Sequence, residues 1–370
     1  MNPIILREQL RTIARMSPDP NITHMEITEK ITHTDHEQVL IARDSATGYH
    51  GIIAIHNTSL GPAVGGTRFW NYESEDDALT DALRLSQGMT YKMALVGLPF
   101  GGGKSIIIGN NATPDREALL RVHGRFVETL KGKYITAEDV GTSPADMEIV
   151  RLETQHVAGL LGRSGDPSPS TARGVFRAIQ ASNRFLRKTD DLSGLTVALQ
   201  GCGHVGYTLA KLLHEAGAKL IVTDVNSENV ARVVDAFGAT MVQPNEIFSV
   251  PADIFAPCAL GGIINDETIP QLKVQIVAGA ANNQLLEEQH GAMLRDRNIL
   301  YAPDYVANAG GILNGCIELL GWDAEHALRK VDGIYDTVLN IFETAQAQGL
   351  TTNEAADRIV EERLTSATRS

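Results

Sequence analysis

The chain has 370 residues and a formal net charge of -13, with 32 Lys plus Arg against 45 Asp plus Glu. That is length for about two domains of ordinary size, and a charge that repels a nucleic-acid backbone. No apolar run reaches the roughly 18 residues that span a bilayer, and the three cysteines, Cys202, Cys258 and Cys316, are widely spaced with no CxxC pair, so neither a disulfide framework nor a metal site is expected and a cytoplasmic location fits.

Residues 1–24 read as an N-terminal extension. Ile4, Ile5, Leu6, Leu10 and Ile13, interleaved with Arg7, Arg11 and Arg15, have the spacing of a short basic amphipathic helix that Pro18 and Pro20 stop. Gly51 to His56 follows as a strand, and Gly61 to Thr67 as a glycine-rich turn. Ser74 with Asp77 forms a capping box ahead of Ala78, Leu79, Ala82, Leu83 and Ser86, a helical spacing that carries on to Met89 and Lys92. Lys104 to Ile108 reads as a buried strand, Ala118 to Leu130 as a helix, and Tyr134 to Thr136 as a strand ending at Ala137-Glu138-Asp139. Ser143-Pro144-Ala145-Asp146 opens a further helix with a cap, an N1 proline and an N3 acid.

The stretch Arg163 to Pro169 is a compositional break and the expected crossing between domains. Beyond a helix from Thr171 to Arg187, strands at 196–199, 219–223, 240–242, 254–256, 276–278 and 299–301 alternate with helices, the pattern of a doubly wound parallel sheet. From Asp323 to Leu364 the chain reads as helical throughout. The expected organisation is α/β in two domains. Residues 25–165, joined by a C-terminal helix at about 345–370, make one α/β domain, and 166–344 make a Rossmann domain.

Gly201-Cys202-Gly203-His204-Val205-Gly206 matches the dinucleotide fingerprint G-x-G-x-x-G. The strand Leu195 to Gln200 leads into it, a helix with Leu209, Leu212 and Leu213 leads out, and Asp224 ends the next strand 23 positions after Gly201. The glycines let the backbone approach a pyrophosphate at a helix N-terminus. A carboxylate at Asp224 accepts from ribose hydroxyls and repels a 2′-phosphate, which favours NAD over NADP. His204 and Val205 belong to this loop, with no catalytic part for His204, and Cys202 is a small space-filler.

Two lysines lie twelve positions apart. Lys92 follows Gly88-Met89-Thr90-Tyr91, and Lys104 follows Gly101-Gly102-Gly103. A lysine that stays cationic holds a carboxylate, whereas one that is desolvated or crowded by another cation loses its proton readily and serves as a base. Gly-Lys-Ser at 103–105 is not a phosphate loop, because Leu98 replaces the required glycine and an isoleucine run follows where a helix is needed. The three glycines are expected to let the backbone approach a ligand while aiming Lys104 into a cleft.

With these motifs in place the chain resembles the amino acid dehydrogenases, the group of leucine, phenylalanine, valine, tryptophan and glutamate enzymes. The likeness rests on Gly61 to Arg68, Gly88 to Lys92, Gly101 to Lys104 and Ile135 to Gly141. It continues through Ala256-Pro257-Cys258-Ala259-Leu260, Gly279 to Gln284 and Ala302-Pro303-Asp304-Tyr305. The resemblance implies that Lys92 binds the substrate α-carboxylate, Lys104 activates water as general base, and Asp139 shuttles a proton to or from the amino group. It further places Gly65, Gly66, Met89, Val64, Ala137, Asn283 and Val306 at the substrate, and Cys258, Ala259, Asn282 and Asn283 at the cofactor. The implied assembly is a homo-oligomer, an octamer or another dimer-based form, in which residues 25–165 with the C-terminal helix serve as the substrate-binding and oligomerisation domain.

The matched side-chain pocket, Val64, Met89, Ala137 and Val306, is uncharged, so the second carboxylate of glutamate would be buried without a partner. Aromatic enzymes of the group tend to have glycine where Ala137 stands, and the alanine therefore favours leucine, isoleucine and valine. Gly261-Gly262-Ile263, Ala307 and Arg173 depart from the leucine pattern and keep an aromatic L-amino acid as the alternative. The expected reaction is reversible: an L-amino acid, NAD and water give a 2-oxo acid, ammonium and NADH, in a cleft between the domains. The rivals are a hydroxy acid dehydrogenase, which wants a histidine and an arginine in place of the lysine pair, and a catalytically silent NAD-sensing subunit.

Overall fold

The computed structural model describes residues 24–26, 34–110 and 112–368, so the amphipathic stretch at 4–15 lies outside the described residues. The chain forms two compact units, with boundaries after Gly165 and before Arg363. In the first unit a six-stranded sheet has the order β1-β2-β3-β5-β4-β6. Its strands are β1 (His24–Glu26), β2 (Gln38–Asp44), β3 (Tyr49–Asn57), β4 (Ala63–Trp70), β5 (Gly101–Ile108) and β6 (Tyr134–Glu138). Neighbours from β1 through β3 to β5 are antiparallel, and β4 lies parallel to both β5 and β6.

Helix α1 (Glu75–Leu95) covers one face of this sheet, and α2 (Arg116–Glu128) and α3 (Pro144–Arg151) cover the other. Strand alternation builds both cores. Ile52, Ala54 and Ile106 meet Ala78, Leu79 and Ala82 of α1, while Ile53, Ile55 and Ile107 meet Leu119, Phe126 and Met147. By the same period, Lys104 shares the α1 face with Ile106, and Ser105 shares the opposite face with Ile107. Ser74 caps α1 by accepting from the Asp77 amide, and Ser143 with Asp146 makes a reciprocal capping box on α3.

The run expected as a turn at Gly61 to Thr67 turns at its first residues only. From Ala63 onward it is β4, because pairing on both edges outweighs the weak strand preference of its glycines.

The second unit holds the order β12-β11-β10-β7-β8-β9, parallel throughout. These strands are β7 (Thr196–Gln200), β8 (Lys219–Thr223), β9 (Thr240–Met241), β10 (Ile254–Pro257), β11 (Ile276–Val277) and β12 (Leu300–Tyr301). This is the doubly wound dinucleotide-binding arrangement, with its switch point between β7 and β10. Its helices are α4 (Ser168–Arg187), α5 (His204–Glu215), α6 (Ser227–Phe237), α7 (Gln289–Asp296), α8 (Asp304–Ala307) and α9 (Gly310–Leu319). After them come α10 (Ala324–Asp332), α11 (Ile334–Gln348) and α12 (Thr352–Thr368).

Helix α4 starts at Ser168, inside the compositional break, since a proline in the first turn sacrifices no hydrogen bond. Arg173 of α4 makes a two-pronged bond to Asp332 of α10, 2.8 Å on each arm. That departure from the leucine pattern is therefore a strut between helices. The segment expected as one continuous helix from Asp323 to Leu364 is three, broken at Gly333 and at Gly349, which takes a left-handed cap with φ +69. Helix α12 crosses back to the first unit at Arg363. There Arg363 Nη1 donates to the carbonyls of Ala94 and, at 3.0 Å, Leu95, capping the C-terminal end of α1.

Beneath the strands of the first unit lies a buried polar network on the face away from α1. His123 of α2 bonds Tyr49 OH at 2.8 Å and Thr67 Oγ1 at 3.0 Å, and Thr67 Oγ1 in turn meets Ser105 Oγ at 2.7 Å and Thr136 Oγ1 at 2.5 Å. A neutral imidazole, with one donor and one acceptor, suits two hydroxyls. Burial pulls the His123 imidazole down to about 3. Unfolding releases it to its ordinary value of about 6.5, so the unfolded chain binds more protons between those limits. Stability is predicted to fall as pH drops through that window, by roughly 1.4 kcal/mol per pH unit from this group. Urea midpoints at pH 7 and 5 for the parent and for His123→Gln test it: the variant should lose part of the pH dependence, and an unchanged dependence overturns the account.

Candidate active site

Three adjacent strands, β4, β5 and β6, bring the first group of side chains together. Lys104 is 5% exposed, and its Nζ donates to Asp139 Oδ2 at 2.6 Å. Arg68 Nε donates to the same oxygen at 3.0 Å, and Arg68 Nη1 donates to Asp81 Oδ2 of α1 at 2.7 Å. Burial pulls the Lys104 ammonium below its ordinary range; Asp139 opposes that and Arg68 adds to it. Burial alone would push the Asp139 carboxyl up, yet Lys104 and Arg68 together hold it below the usual carboxylate value. The outcome is a buried lysine biased toward its neutral form beside an aspartate fixed as an anion.

Asp139 reaches this place because Gly66 has no side chain. A Cβ there would stand 2.5 Å from the Glu138 carbonyl oxygen and 2.8 Å from the Asp139 Cβ. The glycines of β5 make a second close approach, at which the sequence expectation needs correcting. A Cβ on Gly102 would lie 2.0 Å from the Thr90 amide nitrogen of α1, and one on Gly103 would meet the Tyr134 ring at 2.7 Å. These glycines therefore admit the protein's own backbone and core. The contact also sets Lys92, two residues past Thr90, and Lys104, two past Gly102, on elements that touch. Val64 of β4 is buried, Met89 of α1 and Ala137 of β6 are half-buried, and Gly65 accepts at its carbonyl from Tyr134 OH at 2.7 Å.

In the second unit the fingerprint loop sits at the carboxyl ends of β7 and β10. Gly201, with φ +97, leaves room for the Cys258 backbone, 2.9 Å from where a Cβ would be. Gly206 leaves room for the Gly201 carbonyl oxygen, 1.9 Å from its own missing Cβ. Around Gly203 there is open space, and no side chain caps the first turn of α5 that His204 and Val205 begin. Free helix amides facing open space fit a pyrophosphate. Asp224 Oδ2 accepts from the Cys202 amide at 2.6 Å and Oδ1 from Asn226 at 2.8 Å, tying the loop to the end of β8. A carboxylate with about four acceptor positions retains capacity for ribose hydroxyls. The residues present thus fit a nicotinamide dinucleotide.

Nearby, Cys258 is half-buried, its thiol pushed up to about 12 by burial, and Ala259 is exposed. Asn282 and Asn283 are exposed; Asn282 Oδ1 accepts from Asn308 Nδ2 at 2.7 Å, and the Asn283 carbonyl accepts from the Gly262 amide at 2.7 Å. Val306 is fully buried on α8.

Residues 34–156 match the family Glu/Leu/Phe/Val dehydrogenase, dimerisation domain, and residues 222–370 match Glutamate/Leucine/Phenylalanine/Valine dehydrogenase. The chain belongs to this family of amino acid dehydrogenases. It is similar to the leucine dehydrogenase of Geobacillus stearothermophilus, 53% identical over 343 residues that cover 92% of this chain and 94% of that one. The phenylalanine dehydrogenase of Caldalkalibacillus thermarum is 47% identical over 339 residues, covering 90% and 92%. The crystal structure of L-tryptophan dehydrogenase from Nostoc punctiforme superposes with a TM-score of 0.83 at 48% identity, covering 93% of this chain and all of that one.

As an amino acid dehydrogenase the chain is an oxidoreductase with a parallel dinucleotide-binding sheet, and among its described residues no helix is long and apolar enough to cross a membrane. Three members of the polar cluster, Arg68, Asp81 and Tyr72, had no role in the sequence reading. One signal was available: Asp81 is a charge set between Ala78 and Ala82 on the inward stripe of α1.

The glycine geometry predicts a split between two variants. Gly206→Ala should lower both thermal stability and dinucleotide affinity, because its Cβ collides with backbone. Gly203→Ala should leave stability near the parent and weaken NADH binding about tenfold, equal to roughly 1.4 kcal/mol, by filling the space before the helix. NADH fluorescence titration with thermal melts reads both, and parent-like binding by Gly203→Ala would sink the assignment of that space.

Proposed function

We propose that this amino acid dehydrogenase catalyses the NAD-dependent oxidative deamination of apolar L-amino acids, leucine, isoleucine and valine foremost, to 2-oxo acid and ammonium, reversibly. The observation that carries the reading is the buried pair of Lys104 and Asp139, 2.6 Å apart, with the lysine biased to lose its proton. NAD, held at the fingerprint loop, would supply the acceptor for the hydride of the α-carbon. The chain's own residues do the rest. Lys92 holds the α-carboxylate, Gly65 and Gly66 bound the site with backbone, and neutral Lys104 takes a proton from the water that attacks the iminium carbon. Anionic Asp139 stabilises the cationic carbon–nitrogen centre and passes a proton to or from the amine.

Val64, Met89, Ala137 and Val306 form the side-chain pocket in this reading, and Asn283 lies near substrate and nicotinamide. Without a cation among them, a glutamate side chain would leave a buried carboxylate unpaired, at a cost of several kcal/mol. Gly201, Gly203, His204, Val205 and Gly206 hold the pyrophosphate, Asp224 the adenosine ribose, and Cys258, Ala259 and Asn282 flank the nicotinamide end. The Asp224 carboxylate at the end of β8 favours NAD over NADP by repelling a 2′-phosphate.

The first unit serves as substrate and oligomerisation domain and the second as NAD domain, in a homo-oligomer that is an octamer or another dimer-based form. Three free cysteines fit a reducing cytoplasm.

A panel of L-amino acids with NAD, followed by NADH absorbance, should rank leucine, isoleucine and valine above phenylalanine and tryptophan, with glutamate inactive. The aromatic alternative gains if that order reverses. Turnover of 2-hydroxy acids in place of amines, or NAD binding with no turnover of any amine, would discard the proposal altogether. One methyl group is worth only about 1 to 3 kcal/mol of discrimination, so Ala137→Gly should move the ratio of phenylalanine to leucine kcat/KM upward by roughly tenfold or more. An unchanged ratio removes Ala137 from the pocket.

Lys104→Ala should abolish most turnover while NADH binding stays near the parent value. In the parent, kcat/KM for deamination should rise with pH as Lys104 deprotonates, at a pH below the ordinary lysine value of about 10.4.

A further inference from the structure

We infer that Arg68 is the positioning residue for the Lys104 and Asp139 pair, held in its own place by Asp81 and Tyr72. The inference rests on the reading of Lys104 as base and Asp139 as proton carrier. Arg68 lies on β4, two residues after Gly66 and on the same α1-facing side of the sheet. Its guanidinium bridges two carboxylates, with Nε on Asp139 Oδ2 at 3.0 Å and Nη1 on Asp81 Oδ2 at 2.7 Å. Tyr72 OH donates to that same Asp81 oxygen at 2.5 Å. Tyr72, Asp81, Arg68, Asp139 and Lys104 thus form one line of hydrogen bonds in which the Arg68 cation sits between two carboxylates.

The line does three things. Both bonds to Asp139 arrive at Oδ2, while Oδ1 accepts no hydrogen bond from a described residue. A carboxylate gripped from two sides at one oxygen cannot rotate away, which presents its other oxygen to the reacting amine. Next, Arg68 is a cation at every working pH, so it keeps Asp139 ionised and works against a proton on Lys104, whereas a lone Asp139 would draw Lys104 toward the charged form. Last, Asp81 belongs to α1, the helix that carries Met89 and Lys92, so the same guanidinium sets the helix bearing the proposed carboxylate anchor against the strands bearing the proposed base.

Other charges couple more weakly. Asp81 acts on Lys104, and Glu138, itself raised by burial and by Asp139, adjoins the pair; the buried Tyr134 hydroxyl, raised by burial, also feels Asp139. A pure strut between β4 and α1 would show the same bonds, and pH behaviour separates the two roles.

The test measures kcat/KM against pH for leucine with NAD in the full-length chain, for the parent, Arg68→Gln, Arg68→Lys and Tyr72→Phe. Arg68→Gln removes the cation, so the acid limb should move to higher pH by about one unit, and kcat at neutral pH should fall about a hundredfold with KM for NAD unchanged. Arg68→Lys should restore the limb but not kcat, because a single ammonium lacks the fork that bridges two carboxylates. Tyr72→Phe should shift the limb less than Arg68→Gln does.

Loss of stability or rate in Arg68→Gln with the limb where the parent has it overturns the inference. If that variant fails to fold, parent-like kcat in Arg68→Lys overturns it instead. Turnover by Lys104→Ala near the parent rate would defeat the base reading itself; a dead Lys104→Ala beside an unshifted Arg68→Gln defeats the positioning role alone.

Discussion

A single carboxylate oxygen, Oδ2 of Asp139, receives hydrogen bonds from Lys104 and Arg68, and the first unit is arranged to make that convergence possible. Two cations crowd one anion in a site where Lys104 is nearly sealed from water. Burial and Arg68 drive the lysine toward neutrality, the aspartate resists, and the anion survives because two positive groups share it. Such an arrangement is costly unless every partner is held in place. The missing side chain at Gly66, the hydroxyl network under β4, β5 and β6, and the Arg68 bridge to α1 supply that holding.

The dinucleotide sheet was legible in the sequence because its signals are local. A strand, the spaced glycines 201, 203 and 206, a helix and then Asp224 fall within one short stretch, and the strand order observed is the one that stretch announces. Lys104 and Asp139 were each legible through their order among the family's motifs, whereas the contact between them appears only in the fold. Arg68 appeared inside a quoted motif without a role, because its two partners lie 71 and 13 residues away and become neighbours only when β4 lies between β5 and β6 under α1.

Three other features of the fold left weak or misleading traces in the sequence. The segment of β4 looked like a turn because its glycines carry weak strand preference, which pairing on both edges outweighs. Gly102 and Gly103 were assigned to a ligand, whereas Thr90 and Tyr134 fill the space beside them. The C-terminal region kept a helical composition through Gly333 and Gly349, so its two breaks, one of them set by a left-handed cap, left little trace in the apolar pattern.

The bond from Arg363 to Ala94 joins residues 269 positions apart. Local amides already cover the carbonyls of Lys92, Met93 and Ala94, but a ribosome releases α1 without its Arg363 donor, and that end of the helix waits for residue 363 to be fully capped. Contacts of such separation slow folding, since a long loop must be ordered before its closing bond gives anything back. The dinucleotide unit, contiguous from Asp166 to Glu362, carries no such delay, so the two halves of this catalyst should mature on different clocks during translation.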